Sequence, residues 1–175
     1  SRFIFSIMKR TADYKIRLII IDPDDVEEKN LLRQNFLPND LGKPKADVMA
    51  TRHARAFGIP IEFVKERATC DLLRRYIDSS LPILVGCVDN HAARREFHNF
   101  MGRMDSAGRL AYWIDSGNER TSGQVIMGDI NRIPTITHLY PEILDASKNT
   151  KSEISCAERL MQDEQNIFVN LTAAN

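Results

Sequence analysis

The chain has 175 residues, 24 of them basic and 24 acidic, so its formal net charge is zero. That balance argues against a generic nucleic-acid or membrane-surface binder, which needs a basic excess to meet phosphate, although a local basic patch stays possible. The length suits one domain with a sizeable core, and the longest apolar runs, such as Leu18 to Ile21 and Ile83 to Val85, fall far short of a membrane span. No secretory h-region is present, and three cysteines at 70, 87 and 156 without a C-x-x-C support neither a disulfide framework nor a structural zinc site. A reducing, cytoplasmic setting is expected.

In chain order, Arg2 to Lys9 has helical spacing and Lys15 to Ile21 reads as an apolar strand, expected to be buried on both faces. A helix follows Pro44, with Ala46, Met49, Ala50, Ala54 and Phe57 on one side, and Gly58 and Pro60 stop it before a strand over Ile61 to Lys65. A helix around Cys70 to Ile77 leads through Leu81-Pro82 into an apolar strand, Ile83 to Val88. Asn90 to Met104 reads as a helix, Leu110 to Asp115 as a strand, and Gln124 to Met127 as its hairpin or parallel neighbour. Strands alternating with helices imply a doubly wound α/β sheet of mostly parallel strands. No repeat, linker or low-complexity stretch interrupts the chain, so residues 1–175 are expected to form one domain.

Ligands of such sheets bind beyond the carboxyl ends of the strands. Two strands end in acid there: one in Asp22-Pro23-Asp24-Asp25, the other in Asp89-Asn90. Acids at that place accept hydrogen bonds from a ribose or hold a metal. Taken singly, each has a plainer reading: Pro and Asp favour turns, Asp and Asn cap helices, and Arg33 or Lys45 would be surface charges. The eight glycines contain no G-x-G, so the printed chain lacks a phosphate loop. The chain opens at Ser1 directly in the first helical stretch; we expect that a preceding strand and its Gly-rich loop lie outside it.

Four blocks stand in order along the chain: Asp22 and Asp24; Asn30-Leu31-Leu32-Arg33-Gln34; Gly42-Lys43-Pro44-Lys45; and Asp89-Asn90. Together they resemble the ATP-site signature of the ThiF/MoeB/HesA superfamily, the prokaryotic relatives of ubiquitin-activating enzymes. Later segments, including Tyr112 to Asn118, Ile133-Pro134-Thr135, Leu139 to Glu142, Ser155 to Glu158 and Gln165 to Asn170, resemble in particular the ThiF-type proteins of the PRTRC group. The departures are the absent Gly-rich loop, the absent N-terminal arginine that reaches a partner subunit's site, and Lys29 in place of the usual Ser.

The resemblance implies a Rossmann-like domain of the ThiF/ubiquitin-activating type that binds ATP and Mg2+. It would adenylate the C-terminal carboxylate of a small ubiquitin-like protein or peptide ending in Gly, as a homodimer, with no nucleic acid, membrane or zinc involved. It assigns nucleotide binding to Asp22, Asp24, Asn30, Arg33, Gln34, Lys45, Asp89 and Asn90, and magnesium to Asp89. Arg33 and Lys45 would neutralise phosphate charge, arginine as a planar fork and lysine as a mobile point charge. Ser155-x-x-Glu158 reads as a capping box, which places Cys156 in the first turn of a helix, where the dipole favours thiolate. The resemblance makes Cys156 a candidate acceptor of the activated acyl group.

Two other readings stay open: a nucleotide-binding scaffold of the same fold without turnover, and a nicotinamide-dependent oxidoreductase, which would leave Arg33 and G-x-P-K unexplained. His53, His91, His98 and His138 form no metal spacing and read as structural. Phe97, Tyr112 and Trp113 read as core, Cys70 and Cys87 as core or incidental, and Arg94 and Arg95, early in the helix after Asp89, as a solvated helix face ahead of a site-lining one.

Overall fold

A computed structural model describes residues 16–31, 34–77, 80–118 and 123–148. The expected helix over Arg2 to Lys9, Arg33 and Cys156 all lie outside these residues. The chain divides after Arg67 into two compact units. Nothing in the composition marks that point.

In the first unit, β1 (Leu18–Ile21) pairs in parallel with β2 (Ile61–Val64), with Leu18 opposite Ile61 and Ile21 opposite Val64. A short α1 (Glu28–Leu31), a 3-10 turn over Pro38–Asp40 and a longer α2 (Lys45–Phe57) lie between them. Helix α2 ends as expected at Gly58, whose positive φ of 67° suits a residue without Cβ. Its inward positions Ala46, Val48 and Ala50 are buried, and Val26, Phe36 and Val48 form a core cluster with Leu31 and Met49 packed against it.

The second unit carries α3 (Cys70–Arg75), β3 (Ile83–Gly86), α4 (His91–Ser106), β4 (Tyr112–Asn118), β5 (Gly123–Gly128) and α5 (Ile136–Leu139). Strand β3 runs parallel to β4, and β4 antiparallel to β5, which resolves the open choice for the last strand as a hairpin. The α/β expectation with mostly parallel pairing holds, and β4 starts two residues later and ends three residues further on than the expected strand Leu110 to Asp115.

One face of this sheet packs on α4. Trp113, 1% exposed, meets Phe97 edge-on at 5.8 Å and 88°. Phe97, Phe100, Met101 and Met104 are buried along α4 at helical spacing. Gly86 suits this close contact: a Cβ there would stand 3.0 Å from Phe97 and 3.1 Å from Trp113.

One expectation is corrected and one open choice is settled. The apolar strands are not buried on both faces: Ile83 and Val85 are 59% and 50% exposed, because α4 packs on the opposite side from these alternate positions. Cys87 is not core. It lies past the end of β3 and is exposed, within 3.5 Å of the Ser116 hydroxyl.

Candidate functional site: two loops at strand ends

In the first unit the acidic segment leaving β1 is zipped against the Gly42–Lys45 segment. The Gly42 N–H donates to the Val26 carbonyl and the Val26 N–H to the Lys43 carbonyl, both at 2.9 Å. Asp25 and Pro44 form an antiparallel bridge, and the Lys45 N–H donates to the Asp24 carbonyl at 2.9 Å. Gly42, at a φ of 75°, makes the turn that lets the chain double back. Two blocks separated by about twenty positions in sequence therefore become neighbours.

That zipper positions Lys45 as the first residue of α2, with its side chain largely covered and its Nζ 3.1 Å from Asp24 Oδ2. Asp24 is mostly exposed, so the pair is a surface ion pair whose net energy is small. It restrains the ammonium beside the end of β1 rather than neutralising it in a dry interior. Asp22, half-buried at that strand end, accepts the Asp24 N–H on Oδ1 at 2.8 Å. The turn expected from Pro and Asp is thus real, and it presents both acids on one short arc.

Asn30 is only 2% exposed, and its Oδ1 accepts the Glu27 N–H at 2.8 Å. Its carboxamide oxygen fixes the loop, while the backbone of exposed Gln34 donates to the Asn30 carbonyl at 2.8 Å. Lys29 pairs with Glu27 at 2.9 Å. The loop is closed by Asp40, which accepts the Leu37 N–H at 2.7 Å and the Arg52 guanidinium at 2.5 Å. The Leu37 bond first, then Arg52, holds the Asp40 carboxyl below its usual range against the opposing effect of burial. This device was not read from the sequence; its only trace there is an acid two residues after a proline.

In the second unit, exposed Asp89 accepts the Asn90 side-chain N–H on Oδ1 at 3.2 Å. Asn90 caps α4, its Oδ1 accepting the Ala93 N–H at 2.8 Å. The plain capping reading therefore holds for Asn90, and it leaves the Asp89 carboxylate at the carboxyl end of β3.

Arg94 overturns its expectation of a solvated face. It is 8% exposed, and its Nε donates to both oxygens of Asp115, itself 1% exposed, at 3.0 and 3.2 Å. Burial pushes the Asp115 carboxyl up, with the Arg94 charge pulling the other way. Two signals in the sequence point here: Arg94 lies one helical turn before Phe97 on the apolar stripe, and Asp115 interrupts an apolar strand on the same face as Trp113.

His53, His98 and His138 are structural, as expected. His53 Nδ1 bonds the Met49 carbonyl at 2.8 Å, His98 Nδ1 the Thr137 hydroxyl at 3.0 Å, and His138 Nδ1 the Thr135 hydroxyl at 2.9 Å. Among the described residues no group of three or more His, Cys, Asp or Glu is arranged to enclose a metal, and no helix is long and apolar enough to cross a membrane.

The donors of each unit, taken by itself, fit one part of a nucleotide with a hard cation. A restrained ammonium suits phosphate, a half-buried carboxylate at a strand end suits ribose hydroxyls, and an exposed carboxylate suits oxygen-seeking magnesium. Within the first unit the fold gathers Asp22, Asp24, Asn30 and Lys45; within the second it places Asp89 beside Asn90.

No curated protein matches the chain. The sequence profile of the ThiF family matches residues 16–164, a span that includes the strand-end loops and their α/β framework; the chain belongs to the ThiF family, whose members are typically adenylyltransferases of the ubiquitin-activating type.

Proposed function

We propose that this chain uses ATP with Mg2+ to adenylate the C-terminal carboxylate of a small ubiquitin-like or sulfur-carrier-like protein. The observation that carries the reading is the zipper between the Asp22–Val26 and Gly42–Lys45 segments, which holds a lysine against the acidic end of a parallel strand. The nicotinamide reading leaves Arg33 and the G-x-P-K block unexplained.

In this reading Asp22 accepts the ribose hydroxyls, and Asp24 holds Lys45 until phosphate takes its place. Asn30 and Gln34 keep the loop in register, and Lys45 and Arg33 neutralise the phosphates. A carboxylate oxygen of the partner's last residue attacks the α-phosphorus. The bond from that phosphorus to its bridging oxygen breaks, and pyrophosphate leaves, so the residues must stabilise charge that grows on the departing oxygens. Magnesium, when bound, spreads that charge; Asp89 would hold it, with Asn90 fixing the approach of Asp89. The acyl-adenylate then meets the Cys156 thiolate, whose sulfur attacks the acyl carbon and expels AMP. Homodimerisation, a cytoplasmic setting and the narrower PRTRC likeness belong to the same proposal, as does the assignment of both units to one adenylation domain.

The test is ATP–pyrophosphate exchange with a co-encoded small protein ending in Gly. Partner-dependent exchange that disappears in Arg33→Ala and Asp89→Ala supports adenylation; full activity in either variant overturns the assignment. A Cys156→Ser protein that still forms a reductant-sensitive adduct removes the thiol step alone. ATP binding without exchange for any Gly-ending partner points instead to the scaffold.

A further inference from the structure

The Arg94–Asp115 pair holds more than its own charges. Besides the two bonds to Asp115, Arg94 Nη2 donates to the Val88 carbonyl at 2.9 Å. Val88 stands between the end of β3 and Asp89. Its carbonyl belongs to the peptide unit that leads into Asp89, so fixing that oxygen fixes the plane from which Asp89 departs. From the other side Asn90 is tied to the first turn of α4. Asp89 is thus clamped on both flanks by one helix.

The fold makes room for this clamp. A Cβ at Gly86 would stand 3.2 Å from Asp115 Oδ2, and one at Gly117 would stand 3.4 Å from Arg94 Nη2. A buried ion pair adds little net stability over well-packed apolar side chains, so stability alone does not account for the arrangement. What it supplies is direction: a guanidinium has donors in a rigid planar fork, and here the fork spans a carboxylate on β4 and a carbonyl in the loop after β3.

We propose that Arg94, oriented by Asp115, is a positioning residue for Asp89, setting the direction in which that carboxylate is offered to the magnesium–nucleotide. The proposal rests on the adenylation reading for the identity of what Asp89 receives; the clamp itself rests on the distances above.

The test uses the full chain with Arg94→Lys, and with the paired change Arg94→Met, Asp115→Asn, which nearly keeps volume and removes both charges. Two quantities are read: amide hydrogen exchange over residues 87–90 by mass spectrometry, and the Mg2+ concentration that half-saturates ATP binding in titration calorimetry. The paired variant is expected to fold cooperatively, to exchange faster at 87–90, and to need about tenfold more Mg2+, the usual effect of losing an outer partner of a metal ligand. ATP affinity at saturating Mg2+ should stay within about twofold. Wild-type exchange and wild-type Mg2+ dependence in a folded paired variant overturn the proposal. Should that variant not fold, Arg94→Lys decides by the same two readings, since a lysine keeps the charge but cannot bridge both acceptors. A wild-type chain that binds no magnesium–ATP overturns the adenylation reading and the magnesium assignment together, whereas intact wild-type binding with unmoved variants overturns the positioning role alone.

Discussion

The loops at the ends of β1 and β3 reach similar ends by different means. After β1, the candidate groups are held by backbone bonds and turns inside one stretch of chain: Asp22 to Asp24, Asn30 to Glu27, Lys45 to Asp24. After β3, the loop is only a few residues long, and its anchor is a buried guanidinium paired with an acid 21 positions away. The first loop carries its own scaffold; the second borrows one from the sheet and helix beneath it. A long loop can satisfy its own polar groups, while a short one must be fixed by neighbours already rigid through packing.

That contrast can be broken from the second side most strongly. Trp113→Ala removes the largest buried side chain under the Asp89 loop and should cost about 3–5 kcal/mol, measured by urea denaturation. The same deletion should leave the β1 loop's protection from hydrogen exchange close to wild type under native conditions, if that loop holds itself.

On the first side, Lys45→Ala should lower pyrophosphate exchange about 10²-fold, as loss of a charge-stabilising group does elsewhere, with little change in melting temperature. A large fall in stability without a fall in exchange would mean that Lys45 serves the fold and not the phosphates.

Asn90→Ala tests the borrowed scaffold gently. It removes the cap of α4 and should cost about 1 kcal/mol, visible in chemical denaturation. An Asp24→Asn change, which weakens only an exposed ion pair, should stay within about 0.5 kcal/mol of wild type in the same measurement.

The smallest effect expected is a pH dependence. Burial first, and the neighbouring His138 second, hold His98 below its usual value of 6.5, so its folded form prefers to be neutral. The unfolded chain then binds the proton more readily, and stability present above about pH 6.5 is lost as pH falls toward the folded value. His91, lowered by burial and then by Arg94 and Arg95, acts in the same direction. Melting temperature should therefore drop between pH 7 and 5, and His98→Gln should shrink that drop.

Much of the first loop was legible because its determinants are local. Proline and aspartate announced the turn, and glycine at 58 stopped α2 where periodicity ended. The capping role of Asn90 was also legible as the plain alternative to a ligand role, and the structure gives its oxygen that job. An arginine in a helix is usually solvated, so Arg94 reads first as a surface charge; its place on the stripe with Phe97, Met101 and Met104, and the acid at Asp115 in an apolar strand, point inward instead. The exposed positions of β3 were misread for the complementary reason. An apolar run shows that a strand can be covered on both faces, and it does not show which face the helix takes.

The sequence by itself determined the α/β alternation, the strand-end acids and the four ordered blocks that carry the family, since these rest on periodicity, turn chemistry and spacing within short windows. Tertiary structure alone decided that the Gly42–Lys45 segment closes on Asp24–Val26, and that Arg94 turns inward to Asp115 and Val88. Those contacts depend on which surfaces meet after burial, where an unpaired charge or carbonyl is too costly to leave and the nearest partner is distant in the chain.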